Sequence, residues 1–299
     1  MGFNFNINSI TPSTDSGGGG SGMVSVPYVV DNNGVFKKST GPFTYTLPSN
    51  ATDVDEHTFS DIFRSSELTS VDLSSLTEVS GHYSFWGAFN DCTSLTSVNL
   101  HNLVAITGDN AFMSAFMGCS SLTSVDLSSL TVVSSTQCFN GAFSECSSLT
   151  SLSFPSLTTI RFDGLSGAFG DCTSLTSISF PSLTTISDSG LLAAFMGCSS
   201  LTSISFPSLT NVSGYCALCS AFEGCTAIEN IYFPALTPSS FEYQTVTFDS
   251  MLLNTGTDVV HTIHFPSNLQ STIQQQNDYP LFGGDSDYVV LAFDLPATE

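Results

Sequence analysis

The sequence predicts a solenoid of near-identical stacked coils, with a parallel β-sheet on one face and short helical turns and loops on the other. Three observations predict it. A block of 26 or 27 residues recurs along the chain, apolar residues occupy the same columns in every block, and apolar and polar residues alternate in one part of each block. Internal repetition at a fixed period of this length is typical of repeat architectures.

A Phe followed three residues later by a Cys marks each repeat. The aligned pairs are Phe89 and Cys92, Phe116 and Cys119, Phe143 and Cys146, Phe169 and Cys172, Phe195 and Cys198, and Phe222 and Cys225. An earlier copy runs from Leu68 to Val79, and a degenerate one begins near Ile263. We therefore predict seven clear repeats and one damaged repeat, with the Phe and Cys columns as a ladder in the core.

One short strand is predicted in each repeat. In the segment from Leu122 to Ser128, the two-residue alternation points Val125 and Leu127 inward and the residues between them outward. A single strand of this kind cannot bury its apolar side alone, so successive strands about 4.8 Å apart are expected to form a parallel sheet over a continuous core. The Ala-Phe-x-x-Cys segment before each strand is predicted to form a short helical turn with its Phe inside.

The motif from Ala142 to Pro155 reads Ala-Phe-Ser-Glu-Cys-Ser-Ser-Leu-Thr-Ser-Leu-Ser-Phe-Pro, and it recurs down the chain. It resembles the BspA-like leucine-rich-repeat family, whose pattern is Ala-Phe-x-x-Cys-x-x-Leu-x-x-Ile/Val-x-Leu/Phe-Pro. The resemblance covers about residues 59–240 and implies a leucine-rich-repeat solenoid. It also implies surface display, adhesion and binding of proteins or glycans. The chain departs from the family in its longer repeats and in showing no export signal.

The repeats are flanked by segments of different composition, and four units are predicted. Residues 1–22 form a flexible segment with a Gly-rich linker, and residues 23–58 form a β-hairpin cap or attachment module that turns between Asp31 and Gly34. Residues 59–240 form the solenoid, and residues 241–299 hold the degenerate eighth repeat and a C-terminal β cap. The N-terminal segment is either a tail without a role or an attachment site, in which case other subunits of a larger assembly bind through residues 1–50.

The composition restricts the predicted partners. Charged residues make up 10% of the chain, with four basic against 26 acidic residues and a net charge of −22. Binding to nucleic acid or to anionic membrane surfaces needs basic side chains, so neither is a predicted partner. No stretch approaches the roughly 18 apolar residues of a membrane span, and the first ten residues show no secretory signal. The acidity indicates solubility, with a cationic partner or Ca²⁺ as the alternative.

The candidates for chemistry form no recognised catalytic or metal-binding pattern. The six cysteines of the repeat column are predicted to be reduced, buried thiols, because parallel neighbours hold their Cβ atoms too far apart for a disulfide. Cys216 and Cys219 form a lone CxxC without the βαβ context of a redox motif or the four ligands of a zinc site. The five histidines have no catalytic spacing, and no nucleophile elbow or phosphate loop occurs. We therefore predict no enzyme, no cofactor and no metal.

The outward face of the predicted sheet is the candidate binding surface. It presents small hydroxyl, amide and carboxylate groups on a rigid lattice, which suits recognition of a carbohydrate or a peptide. The candidate residues are Ser97, Asn99, His101, Ser124, Asp126, Ser151, Ser177, Ser203, Asn230 and Tyr232. The alternative is that Ser is only a compact polar filler for a crowded strand.

Aromatic residues vary most just before the Ala-Phe pairs, at Tyr83, Trp86, Phe162 and Tyr215. We predict that they fill the core, with an aromatic binding spot on the loops as the alternative.

These observations favour a non-enzymatic recognition or display protein that works outside the cell and binds a host-surface glycan or protein. The absent export signal, the N-terminal segment with its glycine linker and the reduced thiols favour a virion component, such as a phage tail or head appendage. The alternatives are a bacterial cell-surface adhesin and a purely structural spacer or decoration protein. Ice or mineral binding is disfavoured, because the outward columns mix Ser with Asp and Asn.

Overall fold

A computed structural model of the chain describes residues 28–30, 36–38, 43–47, 49, 52–133, 135–237, 250–255, 260–274 and 289–296. It is a parallel β-solenoid of about seven turns, which confirms the fold class predicted from the repeats. Each central coil has three parts in sequence, namely a strand of a first sheet, a strand of a second sheet and a segment of tight turns.

The strands in chain order are β1 (Tyr28–Val30), β2 (Phe36–Lys38), β3 (Phe43–Thr46), β4 (Leu68–Asp72), β5 (Glu78–Val79), β6 (Ser97–Asn99), β7 (Ala105–Ile106), β8 (Ser124–Asp126), β9 (Val132–Val133), β10 (Ser151–Ser153), β11 (Thr159–Ile160), β12 (Ser177–Ser179), β13 (Thr185–Ser187), β14 (Ser203–Ser205), β15 (Asn211–Ser213), β16 (Asn230–Tyr232), β17 (His261–Pro266) and β18 (Val289–Leu295). A 3₁₀ helix (Ser267–Leu269) and α1 (Gln270–Gln274) lie between the last two. Among the described residues, no helix has the length and hydropathy to span a membrane.

The first sheet contains the strands predicted from the alternation. Parallel ladders join β3-β4-β6-β8, then β10-β12, then β14-β16-β17-β18, and the three blocks lie side by side. In β8, Val125 is buried while Ser124 and Asp126 are exposed, and the same pattern holds in β10, β12 and β14. The period-two alternation therefore places one face of the sheet on the core and one in solvent.

A second parallel sheet runs along the solenoid in the order β15-β13-β11-β9-β7-β5, and the sequence prediction did not include it. One β-branched residue of each of its strands is buried, namely Val79, Ile106, Val133, Ile160, Ile186 and Val212. β-Branched side chains suit strands, because their stiff χ1 angles cost little there.

The third part of the coil is not helical, so the prediction of short helical turns was wrong. The amide of Phe85 donates to the carbonyl of Ala111 in the next coil at 2.7 Å, while the amide of Ala88 donates back to the carbonyl of Phe85 at 3.0 Å. This alternation continues along the segment, whereas an α-helix would direct every amide to the residue four before it and leave none for the neighbouring coil. Every fourth residue has a positive φ, for example 54° at Tyr83, 58° at Gly87 and 59° at Asp91.

The core is built on three ladders of stacked Phe rings. The longest runs through Phe63, Phe89, Phe116, Phe143, Phe169, Phe195 and Phe222, with ring centroids 5.1 to 5.7 Å apart. A second ladder runs from Phe59 to Phe139, and a third from Phe154 to Phe293. The six Phe and six Cys of the marker columns are 0% exposed. Full burial of a Phe stabilises the fold by roughly 1.5–3 kcal/mol.

Threonine hydroxyls tie neighbouring coils together at the coil corners. Thr96 Oγ1 donates to the carbonyl of Thr69 at 3.0 Å, and Thr158 Oγ1 donates to the carbonyl of Thr131 at 3.0 Å. Thr123, Thr176 and Thr184 form the same bond with the preceding coil. These threonines contribute to the cohesion of the rod, because each hydroxyl adds a second hydrogen bond to a carbonyl that also accepts the threonine's own backbone amide, as Thr131 does from Thr158 at 2.8 Å.

The two ends differ from the central coils. At the N-terminal end, β1 and β2 pair antiparallel, and β3 pairs parallel with β4 as the first strand of the sheet. At the other end, β17 and β18 continue the same sheet in parallel. The predicted flexible segment 1–22 and the turn between Asp31 and Gly34 lie outside the described residues.

Candidate functional site

The outward face of the first sheet carries nine of the ten candidate binding residues. Ser97 is in register with Ser124, Ser151 with Ser177, and Ser203 with Asn230 and Thr262, which makes the first column. The second column holds Asn99 in register with Asp126, then Ser153 with Ser179, then Ser205 with Tyr232 and His264. In these two columns, the side chains on β8, β10 and β12 and that of Ser203 are exposed. Those of Ser97, Asn99, Asn230 and Tyr232 are partly exposed.

His101 lies just beyond β6, and its position depends on Asn99. The Nδ1 atom of His101 is 2.8 Å from Asn99 Oδ1, which also accepts a bond from the backbone amide of His101 at 3.3 Å. Asp126 Oδ1 accepts a bond from the amide of Ser128 in the same way, at 3.1 Å. An Asn or Asp that bonds the amide two residues on closes a turn, so Asn99 and Asp126 shape the ends of their strands as well as facing solvent.

A shallow, open depression of about 710 Å³ lies on this face across β6, β8, β10 and β12. Among the candidate residues, it is lined by Ser97, Asn99, His101, Ser124, Asp126, Ser151 and Ser177. Its volume is in the range of small-ligand sites. The polar groups that line it are mostly hydroxyls and amides. Within it, Ser153 Oγ and Ser179 Oγ form a hydrogen bond of 2.8 Å. This chemistry suits hydrogen bonding to a neutral ligand.

A polar and aromatic cluster ends the face at its C-terminal side. The rings of Tyr232 and His264 stack with centroids 4.3 Å apart. His264 Nε2 is 3.0 Å from Asn230 Oδ1, and His264 Nδ1 is 3.0 and 3.1 Å from the two carboxylate oxygens of Asp294. The hydrogen bond from His264 lowers the pKa of Asp294 below its usual value.

The cluster combines two residues that were candidates with two that sequence reasoning missed. Asn230 and Tyr232 were in the repeat columns, whereas His264 and Asp294 lie in degenerate strands after an irregular insertion. His261 and His264 lie three residues apart on β17 and so point to opposite faces, with His261 buried and His264 partly exposed. The available sequence signal was the column position of His264, two residues after Thr262.

The four variable aromatic residues, Tyr83, Trp86, Phe162 and Tyr215, are exposed or partly exposed, so their assignment to the core was wrong. The exposed fraction is 41% for Trp86, 39% for Phe162 and 70% for Tyr215. Tyr83 stacks on His57 with centroids 5.1 Å apart, and the guanidinium of Arg161 lies 4.6 Å from the centre of the Phe162 ring. They lie at the surface because residues two or three positions further on, namely Phe85, Ala88, Leu165 and Ala217, fill the inward positions of these turns.

The cysteines fall into two groups. The six of the repeat column and Cys138 are buried thiols outside any disulfide, and in all six column cysteines the Sγ atom donates to a Phe carbonyl in the preceding coil, as from Cys146 to Phe116 at 3.2 Å. Cys216 and Cys219 instead form a disulfide within one turn segment. No group of three or more His, Cys, Asp or Glu is placed to hold a metal within the part of the chain that is described.

The repeats match a known family along most of the chain. Residues 32–140, 63–189, 113–219 and 140–276 match the BspA type leucine rich repeat region, with six copies. The chain belongs to the BspA type leucine-rich-repeat family. The resemblance drawn from the Ala-Phe-x-x-Cys motif is therefore confirmed, and the parallel sheet with its outward columns is the leucine-rich-repeat sheet of this family member.

Two solved structures are similar to this leucine-rich-repeat protein. A leucine-rich repeat protein from Eubacterium ventriosum is 24% identical with a TM-score of 0.42, and the match covers 67% of this chain and 50% of that one. A leucine rich cell surface protein from Faecalibacterium prausnitzii is 18% identical with a TM-score of 0.29, covering 87% of this chain and 96% of that one. This chain thus spans about half the length of the first. The comparison with curated proteins gave no match.

Proposed function

We propose that this leucine-rich-repeat protein is a non-enzymatic recognition protein whose outward sheet face binds a neutral carbohydrate or a peptide on a cell surface. The observation that carries the proposal is the pair of exposed polar columns, which continue over the first sheet and contain the depression across β6, β8, β10 and β12. Repeat solenoids use such extended faces for binding, because stacking fixes the spacing of their side chains.

The charge of the chain supports a neutral ligand. The net charge is −22 with only four basic residues, and the face itself carries Asp72 and Asp126. Anionic glycans would meet repulsion along the whole rod. The hydroxyls and amides of the columns offer both donors and acceptors, which match the hydroxyls of a sugar or the backbone of an extended peptide.

The binding test compares two variants that each introduce one Arg and change the charge equally. Ser151→Arg places a long side chain in the middle of the depression, and Asn211→Arg places one at an exposed position of the second sheet. Binding of the purified full chain to a panel of neutral glycans, and to whole bacterial cells, is measured by surface plasmon resonance and by cell pull-down. We expect Ser151→Arg to weaken binding by about tenfold or more, equivalent to about 1.4 kcal/mol, with the control unchanged.

Equal loss in both variants would indicate charge alone, and an unaffected Ser151→Arg would show that binding uses another surface. A chain that binds no glycan, peptide or cell would favour the alternative of a structural spacer.

The kind of particle or cell that displays this face, which we call its carrier, is a separate part of the proposal. The Gly-rich composition of residues 1–22 and the buried thiols favour a component of a virus particle that touches its host, and a bacterial cell surface is the alternative. Immunogold labelling of the source material decides between them. Label on virus particles supports the first carrier, label on cell envelopes replaces it with the adhesin, and label confined to the cytoplasm contradicts both.

A further inference from the structure

The two groups of cysteines differ in access to solvent. Seven of the nine cysteines are free and buried. The other two, Cys216 and Cys219, form the disulfide, with Cys216 partly exposed and Cys219 5% exposed. Tyr215, the residue before Cys216, is 70% exposed. Among the described cysteines, Cys216 is therefore the one whose side chain reaches solvent.

The buried cysteines are chemically inert in the folded chain. Burial raises the pKa of Cys138, Cys172 and Cys225 to about 12. The thiolate is the reactive form of cysteine, so these side chains stay protonated near neutral pH as well as out of reach. Any thiol chemistry of the folded protein is thus confined to the disulfide.

We propose that Cys216–Cys219 is a site of thiol–disulfide exchange, with Cys216 as the sulfur that an external thiol attacks. The thiolate of the incoming molecule forms a disulfide with Cys216 and breaks the bond to Cys219, which leaves as a thiolate and takes a proton from water. A second thiol can then attack the mixed disulfide, releasing the oxidised external disulfide and the Cys216 thiol. Alternatively, Cys219 attacks Cys216 and expels the bound thiol, which restores the original bond.

The difference in burial assigns the two roles. Attack on a disulfide requires access to the sulfur, and Cys216 is the more exposed of the pair. The buried Cys219 stays close, because the two Cα atoms are 4.7 Å apart. A reactive cysteine beside a resolving one is the usual arrangement in reversible redox sites.

The turn does not depend on the disulfide for its position. The carbonyls of Tyr215, Ala217 and Cys219 accept hydrogen bonds of 2.8, 3.0 and 2.8 Å from amides of the preceding coil. These bonds place the turn on the solenoid whether or not the sulfurs are joined. Exchange is therefore a local, reversible event that leaves the sheet and its binding face intact.

The charge of the chain selects among thiols. The net charge is −22, and since Arg161 lies 3.7 Å from Asp188, the carboxylate beside this turn, the charge of the whole chain rather than this residue decides the selection. Anionic thiols such as glutathione are repelled, whereas a cationic thiol such as cysteamine is attracted. We expect cysteamine to react faster than glutathione at low ionic strength, and added salt to reduce the difference.

The test uses the purified full chain, with Cys216→Ser and Cys219→Ser as a matched pair. Each protein is treated with cystamine, the disulfide of cysteamine, under native conditions, and mixed disulfides are located by peptide mass spectrometry. Cys219→Ser should form a mixed disulfide at Cys216 at least about tenfold faster than Cys216→Ser forms one at Cys219, because access controls the rate. In the unmutated chain, cysteamine followed by acid quenching should trap the adduct at Cys216.

Three results would overturn the proposal. They are equal rates in the two variants, adducts on the buried cysteines before any adduct on Cys216, and loss of the far-ultraviolet circular dichroism signal of the unmutated chain on reduction. The trapping experiment on the unmutated chain keeps the test decisive even where a variant fails to fold.

Discussion

Replacement of one ring in the longest Phe ladder tests whether stacking along the solenoid axis holds the coils together. Phe143 is 0% exposed and lies between Phe116 and Phe169, with ring centroids 5.3 and 5.7 Å away and planes within 5° of parallel. Phe143→Ala removes both contacts and leaves a cavity in the rigid core. Phe-to-Ala changes at such sites cost about 3–5 kcal/mol, and we expect the upper part of that range, because stacked neighbours on both sides restrict collapse.

Phe162→Ala is the matched control. The substitution is the same, but Phe162 is 39% exposed and its ring contacts the guanidinium of Arg161. Loss of that cation–π contact costs about 0.5–1 kcal/mol. The contrast between the two variants therefore isolates the contribution of the core ladder.

The assay is urea denaturation with two probes. Far-ultraviolet circular dichroism follows all coils, and the fluorescence of Trp86, the single Trp of the chain, follows the N-terminal coils. Each coil contacts mainly its neighbours, so a gap at Phe143 should separate the two transitions. A loss below about 2 kcal/mol, or a loss no larger than that of Phe162→Ala, would refute the view that the stacked rings couple the coils.

Three further predictions concern the backbone, the coil corners and the C-terminal strand. Gly118→Ala should lower the free energy of unfolding by about 1–2 kcal/mol or more, because Gly118 has a φ of +72° and a Cβ there would meet Asp91 Oδ1 at 2.5 Å. Thermal denaturation of the two proteins measures this loss of stability. Thr158→Val should cost about 0.5–1.5 kcal/mol, since it removes the bond to the carbonyl of the preceding coil, and an unchanged urea midpoint would contradict this. Asp294 has a lowered pKa in the folded state because His264 donates to it, so this contribution to stability is present above the unfolded-state pKa and is lost as the pH falls through the folded-state pKa. The protection factors of the β18 amides, which correct the exchange rate for its intrinsic pH dependence, should therefore fall on strong acidification, and Asp294→Asn should remove that fall.

The repeated elements were predictable from the sequence because the same pattern of apolar and polar residues occurs in several coils. The strand around Val125 has a counterpart in each repeat, and a pattern that recurs so often does not arise by chance. The parallel sheet follows from stacking these strands. The second sheet was equally regular, with Val133 and Ile160 in the same column, but the strands that hold these residues bury one apolar residue each. In the first sheet, alternation continues past the strand from Val125 to Leu127, whereas β9 and β11 have no second buried residue that would show alternation.

The helical turns were predicted wrongly for a physical reason. Phe112 and Phe116 are four residues apart, a spacing that brings side chains together on an α-helix, and both rings are buried. The turn segment also has a period of four, but its αL positions at Asn110, Ser114 and Gly118 set that period. Small polar residues and Gly at every fourth position, which αL backbone favours, were the signal that distinguishes the two.

The candidate site was only partly predictable. The outward columns follow from alternation, so Ser124 and Ser151 were placed by the pattern alone. The contact of His264 with Asp294 joins residues 30 apart across degenerate strands, where no repeat fixes the register. Its geometry depends on the path of the chain after Tyr232, and a single sequence carries no periodic signal for that path.

The hydrogen-bond ladders of the solenoid join the same two columns in successive coils, for example Phe89 to Ala115 and Phe116 to Ala142. A coil is therefore interchangeable with its neighbour. Excision of residues 119–145 would bring Gly118 next to Cys146 with every column still aligned, and a duplication of the same stretch would do likewise. Gene segments of this size can be lost or gained by recombination between repeats without disturbing the packing. The length of the exposed face can thus change by one whole coil in a single genetic step.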